Sequence, residues 1–161
     1  MTKLFKNHTL DQYLDMLSEK QPVPGGGSAA ALTAAGGAAL LSMVARYSIG
    51  KSGSNAIDRK IKNHLKISEE IRERLTDLID LDAQAYMQVV KARGQSQIKR
   101  RAAEKAANKI PWEVSKLCYK AVVLAPFLVE KGNKNLISDI EVAVEMLKAA
   151  YNSALALQHH N

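Results

Sequence analysis

The sequence predicts an all-α fold, a single-domain bundle of long antiparallel helices over residues 1–161. Three observations carry that expectation. Apolar residues recur at helical spacing over long segments. Short clusters of glycine, proline and asparagine separate those segments, and no convincing strand pattern interrupts them. Composition agrees, because 47% hydrophobic and 24% charged residues in a chain of 161 suit a folded domain with a sizeable core.

Each element has its own local reason. Thr9 precedes "LDQYLDMLSEK", whose Leu10, Tyr13, Leu14 and Leu17 share one stripe, so Thr9 is expected to cap a first helix. "QPVPGGG" breaks the chain. A second helix should start at Ser28, as its N-cap, and run to about Ile49 before Gly50 and Gly53. The longest helix begins near Asn55 and runs toward Gly94. Its stripe is Ile57, Ile61, Leu65, Ser68, Ile71, Leu75 and Leu78, continued by Asp82, Tyr86 and Val89. "SQIKRRAAEKAANK" makes a shorter polar helix. Pro111 suits the first turn of the next, which carries Val114, Leu117, Cys118, Val122 and Phe127, and which Pro126 should kink or end. "EKGNKN" is a turn with Gly132 as a C-cap. The last helix runs from Ser138 toward Leu157, with Ser138 and Glu141 spaced as a capping box and Asp139 in its first turn.

Bulk properties narrow the function. The single Cys118 excludes an internal disulfide and reads as a buried core thiol. "MTKLFKNHTLDQYLD" lacks a long apolar segment, so no secretory signal is expected. Residues 21–45 carry no charge, but alanine and glycine dominate them, which argues against a membrane span and for a cytoplasmic protein. The net charge of +7 suits either nucleic acid or the steering of an anionic small molecule. Its densest stretch, residues 91–109, has no interleaved aromatic residues for base stacking, so a solvated helix face is favoured over a nucleic-acid-binding module. His8, His64, His159 and His160 have no zinc-like spacing, and no metal site is expected.

Three motifs point to chemistry. "GKS" at residues 50–52 is not a phosphate loop, since Ala45 stands where that motif needs its first glycine, and a helix precedes it. "PGGGS" is different: Gly25, Gly26 and Gly27 permit unusual backbone geometry and close approach, and the helix entrance at Ser28 offers free N–H groups to an anion or carbonyl. A tight corner between packed helices explains the same residues. In "LIDLDAQAYMQVV", at 100° per residue, Asp82 falls about 20° from Ile71, inside the apolar stripe, and Asp80 about 180° away. A carboxylate on a buried face either pairs with a buried cation or has a raised pKa suited to general acid–base work. Asn133 and Asn135 serve the turn before the last helix or bind a heterocycle.

Together, "PVPGGGSAAALTAAGGAALLSMVARYSIGK", "DLDAQAY" and "GNKNLISDIEVA", in that order, resemble the cyclodeaminase/cyclohydrolase family, over roughly residues 8–155. That family includes the cyclodeaminase half of formimidoyltransferase-cyclodeaminase and the stand-alone methenyltetrahydrofolate cyclohydrolases. The resemblance implies an all-α homodimer that handles a one-carbon unit on tetrahydrofolate, with active sites near the subunit interface and no metal or redox cofactor. It implies Asp82 as the catalytic proton carrier. It also implies Gly25, Gly26, Gly27, Ser28, Lys51, Asn133 and Asp139 as contacts to the pterin or the glutamate tail. A folate-binding homologue that no longer turns its ligand over is the alternative.

Overall fold

The computed structural model describes residues 3–160. Seven α-helices follow in order: α1 (Leu10–Ser18), α2 (Gly26–Ser48), α3 (Asn55–Ala92), α4 (Gln97–Ala107), α5 (Lys109–Val122), α6 (Ala125–Lys131) and α7 (Ile137–His160). Short 3₁₀ turns at Phe5–Asn7 and Lys134–Leu136 precede α1 and α7.

Four of these helices make an up-down-up-down bundle. Ser42 bonds Ser68 at 2.8 Å and Gly27 meets Asp82, so α3 runs antiparallel to α2. Gly26 faces Leu157 and Gly36 faces Met146, so α7 also runs against α2. On α5, Ser115 meets Gln158 of α7, while Cys118 and Val122 line one groove with Leu147 and Tyr151 further back along it. The bidentate Arg74–Glu113 pair, at 2.6 and 3.0 Å, ties α3 to α5 and closes the ring. The core is this interior: Leu41, Ile61, Leu75, Leu78, Val114, Cys118, Ile140 and Leu147 are each at most 1% exposed.

α2 is apolar and long enough, by length and composition, to cross a membrane, yet 61% of its most apolar window is buried inside the bundle. Its alanines and glycines serve contact distance. A Cβ at Gly37 would stand 2.8 Å from Leu147 Cγ and 3.0 Å from the Ala143 carbonyl oxygen, so α7 lies almost backbone to backbone on α2 there. The two glycines that need a left-handed backbone are Gly50 (φ 77°) and Gly53 (φ 66°), in the connection to α3.

The element boundaries bear out most expectations. Thr9 forms a capping box with Gln12, Ser54 caps α3, and the Gly132 N–H donates to the Leu128 carbonyl at 2.8 Å. Pro126 lies in the first turn of α6, so it starts a new helix after α5 ends. Three points differ. Gly25 rather than Ser28 is the N-cap of α2, and Ser28 is fully buried inside its first turn. α7 begins at Ile137, already helical, so Ser138 is not a cap; Asn133 caps the preceding 3₁₀ turn, accepting the Asn135 N–H at 3.1 Å. On α1 only Tyr13 is buried, while Leu10 and Leu14 stay 66% and 51% exposed, because that short helix lies at the edge of the bundle.

The largest correction concerns Asp80, placed by periodicity on the solvent side. It is 5% exposed, because the N-terminal segment folds over that face of α3. Its Oδ1 accepts the Phe5 N–H at 2.6 Å and its Oδ2 the Lys6 N–H at 3.3 Å. Asp80 therefore holds the first 3₁₀ turn in place. Asp80→Ala leaves two amide groups short of an acceptor and is expected to cost about 1–3 kcal/mol in urea unfolding, with turnover per folded molecule retained.

Candidate active site

Where α2 enters the bundle, a cavity of about 510 Å³ opens between that entrance, the second half of α3, α4 and the start of α5. Gly25, Gly26 and Gly27 form one side and Asp82 projects from α3 opposite them. The glycines are not there for unusual dihedrals. Gly25 is extended (φ −131°, ψ −163°), Gly26 and Gly27 are helical, and none has positive φ. What Gly27 supplies is the absence of a side chain: a Cβ there would clash with the carboxyl group of Asp82.

That contact decides the electrostatics. Asp82 is half-buried, and burial raises its pKa above the ordinary carboxylate value, with the Ser28 backbone N–H opposing the rise. Among the described residues no Lys, Arg or His lies within ion-pair distance of it, so the expected alternative of a structural ion pair does not hold. Behind the glycine corner, Tyr13 Oη and Ser28 Oγ hydrogen-bond at 2.9 Å, both buried. Burial pushes the Tyr13 phenol up, opposed by Ser28, and the nearby Asp82 charge adds to the rise. The Ser28 side chain thus faces inward as a brace, while its N–H faces Asp82.

The structure brings together only part of the set named from sequence. Gly25, Gly26, Gly27 and Asp82 share the cavity, with Ser28 directly behind. Lys51, Asn133 and Asp139 gather at the other end of α2, about 30 Å away along a helix of this length. There the Asn133 N–H donates to Ser48 Oγ at 2.8 Å, the Lys51 N–H to the Ser48 carbonyl at 3.2 Å, and Asp139 lies in the first turn of α7. Other wall residues went unassigned in the sequence: Tyr86 and Val89 on α3, Arg93 at its C-cap, and Glu104 on α4. Periodicity marks Tyr86 and Val89 only as stripe residues, and the polar stretch 91–109 marks Arg93 and Glu104 as a solvated face. Their signal was present, since positions 82, 86, 89 and 93 fall on one helix face.

The site is thus a carboxyl group without an ion-pair partner among the described residues, partly desolvated and laid against the glycine-rich entrance of a helix in an all-α bundle. The family model for formiminotransferase-cyclodeaminase matches residues 9–161. A methenyltetrahydrofolate cyclohydrolase from Methylorubrum extorquens is 38% identical over 158 residues, covering 92% of this chain and 76% of that protein. The crystal structure of formiminotetrahydrofolate cyclodeaminase from Thermotoga maritima superposes with a TM-score of 0.92 at 29% identity, covering 96% of this chain and 78% of that one. The chain belongs to the formiminotransferase-cyclodeaminase family.

Proposed function

We propose that this chain is a tetrahydrofolate one-carbon enzyme, a methenyltetrahydrofolate cyclohydrolase or a formiminotetrahydrofolate cyclodeaminase, with Asp82 as its proton carrier. The observation that carries the reading is the Asp82 carboxyl group, desolvated against Gly27 and without a cationic partner among the described residues, on the wall of a cavity large enough for a small molecule. A raised pKa lets one carboxyl group act as both base and acid near neutrality. In ring opening, water adds to the carbon bridging N5 and N10 while Asp82 accepts its proton. The proton then passes to N5 as the C–N5 bond breaks, and the hydroxyl left on the carbon releases its own proton to solvent, giving the neutral 10-formyl compound. In the deaminating reaction protonated Asp82 gives its proton to the formimino nitrogen as N10 attacks the carbon, then takes the N10 proton and passes it to the same nitrogen, so that ammonia leaves and the methenyl cation remains. Neither sequence calls on a metal or redox cofactor, and the net charge of +7 favours an anionic substrate.

The distance between the Asp82 cavity and the Lys51, Asn133 and Asp139 cluster supports a homodimer with shared sites. A two-fold axis crossing α2 near its middle sets the end of one α2 beside the start of the other, so each subunit adds its cluster to its partner's cavity. The cavity and a cytoplasmic site of action complete the reading.

Absorbance assays with methenyl- and formimino-tetrahydrofolate in parallel test the activity. Loss of the methenyl band shows the hydrolase, its appearance from the formimino compound shows the deaminase, and a flat trace with both removes the proposal. Mixing Asp82→Asn with Lys51→Ala tests the shared site. Heterodimers regain turnover if the two residues serve one site from opposite chains, and stay inactive if they do not.

A further inference from the structure

Asp82, Tyr86, Val89 and Arg93 follow one another at spacings of four, three and four, and all four line the cavity. Arg93 is the C-cap of α3 and keeps helical backbone angles, so about three helical turns, roughly 16 Å, separate the first from the last. Long side chains on a helix lean toward its N-terminus. Arg93 does so: its Nη2 donates to Tyr86 Oη at 3.5 Å, which aims the guanidinium back along the wall toward Asp82. Among the described residues lining the cavity Arg93 is the only basic one, and none of the ion pairs formed by those residues includes it. The other charges on the walls are both carboxylates, Asp82 within and Glu104 across from α3 on α4, where Arg100 stands 3.5 Å from it.

This order along one face makes a directional cradle. A cationic one-carbon centre is stabilised beside Asp82, an aromatic ring packs on Tyr86 and Val89, and an anionic group is repelled by both carboxylates toward the planar donor fork of Arg93. The proposed substrate has these three parts in this sequence: the bridging carbon, the aminobenzoyl ring and the glutamate. Resting on that reading, we propose that Arg93 is the carboxylate anchor of the site, a specificity-determining residue that binds the glutamyl end of the folate and sets its direction along α3.

Two substrates decide it: methenyltetrahydrofolate, and the matching analogue in which an uncharged propylamide replaces the glutamate. Arg93→Ala should lower the ratio of kcat/KM for the first over the second by about tenfold, the size of one exposed charge-assisted hydrogen bond. Arg93→Lys, which keeps the charge without the fork, should recover part of it. Equal losses on both substrates, or none on either, overturn the assignment while leaving the proposed activity standing. If the unaltered protein turns over neither compound, equilibrium binding of the same pair decides instead. Preference for the glutamyl ligand that vanishes in Arg93→Ala keeps the anchor and discards the activity; no preference, or no binding, discards the anchor.

Discussion

Asp82→Asn is expected to reduce turnover by about two to four powers of ten, the usual contribution of a positioned proton carrier, with helicity and assembly unchanged. The amide keeps the size of the side chain, so the contact with Gly27 survives while the proton relay is lost. The variant should be at least as stable as the parent at neutral pH. Burial raises the Asp82 pKa, so the folded chain holds this proton more tightly than the unfolded chain. Ionising it therefore destabilises the fold increasingly as pH climbs from the ordinary carboxylate value through the raised one, and the Asn variant escapes that penalty. The parent pH profile carries the same signature. For ring opening, kcat/KM should rise with pH through a midpoint above the ordinary aspartate value, since the base must be ionised. For the deaminating reaction the limb reverses, since the acid form is needed first. Parent-like turnover in Asp82→Asn would end the mechanism.

Gly27→Ala should disable the site from the other side. Its Cβ would occupy the space of the Asp82 carboxyl group, and both helices are anchored in the core, so the carboxyl group must turn away. Displacing a reacting group by about 1 Å costs on the order of a hundredfold in rate, and overpacking costs about 1–3 kcal/mol of stability. A double-mutant cycle separates this from a general intolerance of alanine at the corner. With Asp82 already replaced by Ala, the stability loss from Gly27→Ala should vanish; a loss that persists would show that the carboxyl contact is not its cause. Gly26→Ala gives a second comparison, since its Cβ meets only a Leu157 methyl at 3.9 Å and should leave the unfolding midpoint unchanged or slightly raised.

Much of this was legible in the chain because helical periodicity reports burial directly. Ile61, Ser68, Ile71, Leu75 and Leu78 are buried as their spacing requires, Leu65 is partly so, and Asp82 follows on the same face. Asp80 departs from this pattern because periodicity describes a helix with one covered face, whereas α3 is also covered behind by residues far away in sequence. Triple glycine was read as conformational freedom, yet the constraint is a carboxyl group approaching from α3, a contact that local pattern cannot express. Ser28 was read as a cap for a similar reason, since its bond to Tyr13 crosses from one helix to another. The resemblance named Lys51, Asn133 and Asp139 beside Asp82, whereas one chain carries them at opposite ends of α2.

The two long walls of the cavity are held very differently. α3 is sewn into the interior along most of its length, whereas α4 contributes no buried residue at all. Substitutions on α4 are therefore expected to leave the bundle intact, so that wall of the cavity is open to revision by drift or by design. The acid and its glycine neighbour enjoy no such licence, so new preferences among related ligands would arise from the outer helix while the reaction stays the same.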